Sequence, residues 1–442
     1  MMQPDMSNHP SNHKPTPKEP TMPDTTTTTD TTTDTDTGYF AMPSPRIYVK
    51  ELLARIGEMK LPAAATKNGA YYVAHYADNK RPTIQMLNDG LRVTSRPQWS
   101  AQVDHPDHVA MIGAAGLAKV KKLKPEWITL LALETPADAP INVHQAPQVQ
   151  VTTDSGVTFT SHTHPGTGNG VHHIDQYRNP DERTQTDPAP HLYDIPRGYW
   201  QQMGGVVDAT STDDSRPILT GMLFQARQED NGPHTFTMVG TDSYRLAVAE
   251  IRQEQPHSPP AAPLDGWIID RKMLAPAAKA YEAYNKTKAT IVRPLIYLWE
   301  REARLDVGPI SYEARTIEGT YPSWRGLIPE DGAPYDIPVD GPDIAAAIKT
   351  WSAMKDGGNE GSPLLFAEGY AVFDEVSTPT PNITNLPTEG VQFNPGYFVA
   401  SAQGLPAGTR AYGHDSLRPW LAVAEIVGVT VSRLVMPVRV SR

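Results

Sequence analysis

The sequence contains no cysteine. That excludes disulfide frameworks, cysteine-ligated zinc, iron–sulfur clusters and thiol catalysis, and it agrees with a reducing compartment. No apolar run reaches about 18 residues, so no membrane-spanning helix is expected, and the polar residues 1–10 do not read as a signal peptide. Three motifs are missing as well: GxxxxGK[ST], HExxH and GxSxG. Nucleotide hydrolysis and the common hydrolase chemistries therefore have no anchor, and no enzyme, cofactor or metal is expected. Positive charge is in deficit, with 39 Lys and Arg against 50 Asp and Glu, a formal net charge of −11. Taken alone, that balance argues against a nucleic-acid partner, so any DNA-binding role requires the charges to be segregated in space.

Proline, by contrast, is plentiful at 43 of 442 residues, about twice the usual share of roughly 5%. Long helical bundles and coiled coils are disfavoured. The length suggests two to four domains at roughly 100–200 residues each. Residues 1–38 hold almost no large apolar side chain, and eleven threonines interleaved with aspartates fill 21–37; the segment reads as a disordered acidic tail. From residue 39 onward, short runs rich in Val, Ile, Thr and aromatics alternate with Gly, Pro, Asn and Asp, an α+β pattern dominated by strands. Loop-like composition at 163–190 and 330–334 divides the rest into three comparable pieces.

The pieces share features. Tyr193-Asp194-Ile195-Pro196 recurs as Tyr335-Asp336-Ile337-Pro338, and each copy precedes an apolar helix candidate, 199–209 and 344–354. Arg46-Ile47-Tyr48-Val49 before a helix candidate at 51–59 gives the first piece a similar start. A later helix candidate follows in each, at 114–123, 271–284 and 395–405. This suggests a tandem array of one domain type. Within the second piece, Leu219-Thr220-Gly221-Met222-Leu223-Phe224, a turn at 230–232 and Phe236-Thr237-Met238-Val239 form a β-hairpin, continued by Gly240-Thr241-Asp242-Ser243-Tyr244-Arg245-Leu246-Ala247-Val248. On pattern alone this is a three-stranded meander.

These residues also carry a resemblance. The run 215–224 followed by 241–247 resembles the central domain of the bacterial β sliding clamp, the processivity ring of the replicative polymerase. Glu318-Gly319-Thr320-Tyr321-Pro322-Ser323-Trp324-Arg325 with Leu327-Ile328-Pro329 resembles the segment closing that domain. Phe393-Asn394-Pro395-Gly396-Tyr397 is similar to the start of the third domain's second helix, and Leu434-Val435-Met436-Pro437-Val438-Arg439-Val440 to the C-terminal strand. The first piece matches less well: 63–82 departs from the pattern, and so do the acidic tail and Ser441-Arg442. These departures suggest a phage or mobile-element copy.

The resemblance implies three tandem copies of a clamp domain, each with two helices packed on antiparallel sheets, and a head-to-tail homodimer closed into a ring around double-stranded DNA. The boundaries follow as a 1–38 tail, a divergent first domain at 39–162, a linker at 163–190, a second domain at 191–330 and a third at 331–442. No catalysis is implied, and the protein is expected in the cytoplasm, of the host if it is viral, with no membrane partner. Partner peptides from DNA polymerase and the clamp loader would occupy a groove between the second and third domains. Its residues are Leu219, Thr241, Ser243, Tyr244, Arg245, Leu246, Pro322 and Leu327 on one side, and Asn394, Tyr397, Leu417, Pro419, Val435, Met436, Pro437, Val438 and Arg439 on the other. Leu219 and Val435 read equally as packing residues. Gly326 stands where the family often has a basic residue.

Charge supports a DNA-lining wall separately from the resemblance. The stretch 113–124 carries Lys119, Lys121, Lys122 and Lys124 without an acid, and 270–288, which includes Arg271, Lys272 and Lys279, has five basic residues against two acidic. Ordinary solvated helix faces would look similar. The third-piece stretch 343–356 is neutral, so the lining is uneven. Phe159 aligns with an edge-strand aromatic of the ring joint, and a plain core position explains it equally well. His162, His164, His172 and His173 lie in a linker-like stretch without ligand spacing, so a metal site is not expected there. The rival reading is a clamp-like peptide-binding adaptor that does not encircle DNA.

Overall fold

The computed structural model describes residues 46–63, 70–76, 79–88, 90–95, 108–133, 148–162, 191–228, 233–253, 266–287, 292–329, 333–339, 363–367, 369–373, 376–380 and 383–438. The tail 1–38, the linker 163–190, the helix candidate at 344–354, His164, His172, His173 and Arg439 lie outside the described residues.

Among the described residues a similar order of elements recurs in three sets, the second with a divided first helix and the third with no helix between its first two strands. First come β1 (Ile47–Tyr48), α1 (Val49–Glu58), β2 (Ala70–Tyr76), β3 (Asn79–Asn88), β4 (Leu91–Ser95), β5 (His108–Gly113), α2 (Ala114–Leu123), β6 (Trp127–Leu133), β7 (Gln148–Thr153) and β8 (Thr158–His162). Next are β9 (His191–Asp194), α3 (Arg197–Trp200), α4 (Met203–Asp208), β10 (Gly221–Gln228), β11 (His234–Thr241), β12 (Arg245–Gln253), β13 (Trp267–Asp270), α5 (Arg271–Thr287), β14 (Leu295–Leu298), β15 (Glu302–Val307) and β16 (Ile310–Arg315). The last set is β17 (Tyr335–Pro338), β18 (Leu364–Ala367), β19 (Tyr370–Phe373), β20 (Val376–Pro379), β21 (Val391–Phe393), α6 (Pro395–Ala402), β22 (Arg410–Gly413), β23 (Trp420–Ile426) and β24 (Val429–Val435). The two Tyr-Asp-Ile-Pro segments lie at the start of the second and third sets: Tyr193-Asp194 ends β9, and Tyr335–Pro338 is β17.

Strand pairing, antiparallel throughout, joins consecutive sets. One eight-stranded sheet has the order β5-β2-β3-β4-β16-β15-β14-β9, and the other β13-β10-β11-β12-β24-β23-β22-β17. Each is two four-stranded halves from successive sets, sewn at β4·β16 (Glu313 opposite Arg92) and at β12·β24 (Arg245 opposite Val435). Two four-stranded sheets remain, β1-β6-β7-β8 and β20-β19-β18-β21. By strand order β8 corresponds to β16 and β24, and β20 to β4 and β12. Those four corresponding strands are joined in pairs, while among the described residues β8 and β20 end their sheets.

Helix ends follow local chemistry. In α1, Leu52 and Ile56 are buried and Arg55 bonds Glu51 one turn earlier at 3.0 Å. α2 spans its expected range, with Gly116, Leu117 and Val120 buried; a Cβ on Gly116 would strike the Ser161 side chain, so α2 lies tightly on β8. The helix expected at 199–209 begins earlier and divides into α3 and α4 at residues 201 and 202. α5 continues through Pro276 to Thr287. α6 stops at Ala402 because Gln403 is extended and Gly404 takes φ +78°, a conformation that glycine adopts without strain. The main core gathers the helices and the inner sheet faces of the first two sets, including Trp200, Tyr199, Tyr281 and Tyr312. A second cluster around Phe366, Phe393, Phe398 and Trp420 fills the third set.

Candidate functional site

The outer face of the second seam carries its own apolar cluster. Leu223, Val239, Leu246, Val248 and Ile268 of the second set meet Leu434 of the third, and Trp324 covers them, with Ile218, Tyr321, Ile328, Leu421 and Met436 packed around. Tyr321 donates to the Val239 carbonyl at 3.3 Å, tying the covering segment to the sheet, and burial pushes its hydroxyl far above the usual tyrosine range.

Over one end of this cluster stands the turn between β11 and β12. Asp242 organises it: its Oδ1 accepts from the backbone N–H of Tyr244 (3.0 Å) and of Arg245 (3.1 Å), and its Oδ2 from Arg245 Nε at 2.9 Å. Thr241 donates to the Arg245 carbonyl at 2.7 Å, and Ser243 holds φ +81°. Such side-chain turns fix a short loop without strand partners. The consequence is that Tyr244 projects outward, 53% exposed, and stacks on Tyr397 with centroids 5.8 Å apart and planes 18° from parallel. The Arg245 guanidinium lies 5.1 Å from the Tyr397 ring and donates to the Asp208 carbonyl at the end of α4. Burial, followed by the Asp242 charge, raises the Tyr397 pKa.

The C-terminal strand completes the site. Met436 N–H donates to the Tyr244 carbonyl at 2.8 Å, Pro437 bridges Phe393, and Val438 N–H reaches the Gln392 carbonyl at 2.7 Å. Leu417 is presented by another aspartate turn, with Asp415 Oδ1 accepting from Leu417 and Arg418 N–H at 2.8 and 2.7 Å. Leu417 and Leu327 are both about half exposed.

The sequence-derived residues therefore divide. Tyr244, Arg245, Tyr397 and Met436 are brought into direct contact, and Leu327, Leu417, Pro322 and Val438 are exposed. Leu219 and Pro419 are half-buried, while Thr241, Leu246, Val435 and Pro437 are buried and act as floor. The Asn394 side chain accepts from Tyr397 N–H at 3.1 Å, capping α6. It fixes Tyr397. Ser243 receives a weak bond from Arg216 at 3.4 Å. Sequence reasoning passed over Asp242, Tyr321 and Trp324; the Thr-Asp-Ser-Tyr-Arg turn was the available signal for the first.

The candidate DNA-facing lysines Lys119, Lys121, Lys122 and Lys124 are exposed on α2 and its cap, opposite its buried face. Lys272 and Lys279 are exposed on α5, and Arg271 half so. Phe159, on β8, is half-buried against this chain's main core, with Lys119 Nζ 5.2 Å from its ring centroid. Among the described residues no cluster of three or more His, Asp or Glu could hold a metal, and no helix is long and apolar enough to cross a membrane.

Residues 202–323 match the family described as DNA polymerase III beta subunit, central domain. The match covers the central stretch of the chain. The beta sliding clamp of Caulobacter vibrioides is 30% identical over 125 residues, 28% of this chain and 31% of the relative. That of Staphylococcus aureus is 25% identical over 185 residues, 41% of this chain and 43% of the relative. The chain thus matches about a third to under a half of these relatives' length. Among solved structures, the Helicobacter pylori beta clamp bound to a DNA ligase peptide superposes with TM-score 0.62 at 14% identity, covering 90% of this chain and 100% of that one. The Bartonella birtlesii sliding clamp bound to griselimycin gives 0.60 at 18% identity, with 90% and 100% covered. These likenesses establish the sliding-clamp fold, an α+β architecture built mostly of sheets.

Proposed function

We propose that the protein is a non-catalytic DNA sliding clamp: two copies pair head to tail into a ring that encircles duplex DNA and tethers the replicative polymerase. The observation that carries this reading is the pair of open edges. Wherever two strand sets meet within the chain, a strand of the β8 type joins one of the β20 type. A second copy offers each open edge the partner that its counterparts already have, and two such heterologous contacts close a ring of six strand sets. The three sets then correspond to domains at 39–162, 191–330 and 331–442. Exposed lysines on α2 and α5 supply sequence-independent attraction to phosphate within an acidic protein.

The groove at the second seam takes an extended peptide from polymerase or clamp loader, as the H. pylori relative takes a ligase peptide. Apolar residues seat the anchors, and the Tyr244–Tyr397–Arg245 group borders the polar part. The protein works in the cytoplasm. Topology is the decisive test: protein loaded by its loader on nicked circular DNA should survive a high-salt wash and leave when the circle is cut. Equal loss from circular and linear DNA after confirmed loading would favour the non-encircling adaptor.

A further inference from the structure

On the outer face of the second eight-stranded sheet, the registers align one apolar row across four strands. Leu246 faces Leu434, Leu434 faces Leu421, and Leu421 faces Tyr412. Cover falls away along it: Leu246 and Leu434 are 2% and 3% exposed beneath the segment around Trp324, Leu421 is half-buried, and Tyr412 is 48% exposed. Val423, two residues beyond Leu421 on the same strand face, is 49% exposed, and Leu417 at the groove lip 54%. Leu421 belongs to the same cluster as Met436. The floor of the groove therefore continues, without a polar break, onto the open face of the third strand set. Scattered apolar residues on a surface need no explanation; a row in register that begins in a binding groove does.

We propose that this row is a second subsite for the polypeptide held in the groove, taking an apolar or aromatic side chain that flanks the anchor. The inference rests on the groove reading and adds a specificity element to it. The occupant is one continuous extended chain because the row starts at the groove floor and runs across the strands. Leu434 and Tyr412 are two strands apart, about 10 Å at roughly 4.8 Å per strand, which an extended chain covers in about three residues at about 3.3 Å each. The flanking residue should lie within about three positions of an anchor seated where the cover of the Trp324 segment ends, beside Met436 and Leu421. The third-set sheet presents Tyr412 at its outer side, so an aromatic partner side chain gains ring contact as well as area.

The test uses the full-length protein and a displayed library of random 16-residue peptides. Selection should enrich an anchor and, about three residues away, a second apolar or aromatic position. A variant with Tyr412→Ser and Val423→Ser should lose the second preference and bind the selected 16-mers about tenfold more weakly, while binding versions truncated to the anchor as the parent does. Both residues are exposed, and an unchanged melting temperature excludes misfolding. No second preference, or equal effects on long and truncated peptides, would overturn the subsite and leave the groove standing. If Tyr244→Ala with Met436→Ala leaves all peptides within about twofold, or no peptide is enriched, the groove reading fails and the subsite with it.

Discussion

Thr160→Pro should open the ring while sparing the subunit, and the structure says why this position and not its neighbour. Thr153 N–H donates to the Val157 carbonyl at 2.9 Å across the β7–β8 turn. Ladder bonds then recur every second residue, joining Val151 to Phe159, and the hydroxyls of Thr152 and Thr158 approach to 3.3 Å as in a non-bonded pair. Thr158 and Thr160 therefore turn their backbone N–H groups off the open edge. Proline is tolerated on an edge strand when its missing N–H faces outward. In the joint it removes one hydrogen bond, about 1 kcal/mol net, and strands a buried acceptor on the partner strand, about 1–3 kcal/mol more. Separating two copies breaks both joints, so dimerisation should weaken by about 4–8 kcal/mol, roughly a 10³- to 10⁶-fold rise in Kd at about 1.4 kcal/mol per tenfold. Sedimentation velocity should show the parent near twice 48.4 kDa and the variant at one subunit. Phe159→Pro, whose N–H points to Val151, should instead damage the first sheet and lower the melting temperature. A Thr160→Pro protein that dimerises like the parent would remove β8 from the joint.

Changing Lys119, Lys121 and Lys122 together to Ala should lower the slope of log K against log salt on duplex DNA, by at most about 0.9 per lost phosphate contact; an unaltered slope puts α2 off the DNA path. Gly240→Ala should destabilise by about 1–3 kcal/mol in urea unfolding, because its Cβ would overlap the Val206 carbonyl of α4, backbone that has no rotamer to retreat into. Full stability would mean that α4 is not seated on β11. Arg433→Met should stabilise, by about 1–4 kcal/mol. Arg433 is buried at the seam, burial pulls its guanidinium down to about 10, and among the described residues its Nε meets no acceptor. A loss of stability there would show that the carbonyl of Val248, which Nη1 approaches at 3.4 Å, outweighs the desolvation.

What the sequence made legible is what local chemistry dictates. The helix candidate at 114–123 is α2, and the Tyr-Asp-Ile-Pro copies fall at β9 and β17. The break between α3 and α4, and the reach of α5 past Pro276, depend on packing that no local signal carries. Seam register was illegible for the same reason, since Arg245 meets Val435 across almost two hundred residues of chain. The proposed groove was visible only through resemblance: aspartate turns present Tyr244 and Leu417, while Thr241, Leu246, Val435 and Pro437 are buried beneath.

The first strand set explains its own weak resemblance. On its sheet, Gln85 and Thr94 are buried polar residues, bonded to each other at 3.1 Å, at the positions where the second set has Val239 and Val248 on the outer face. The seam beside it is bound by charge, Arg92 to Glu313 at 3.6 Å, with Arg304 paired to Asp306 close by. Both seams have the same strand order, yet on a polar, ion-paired face an apolar anchor would displace charged and polar contacts and gain little apolar burial in return. Backbone topology would permit a groove at either seam. On the proposed reading, the apolar bed of the second seam suits an extended apolar peptide better than the charged first seam does, which fits a repeated architecture with the groove at the second seam.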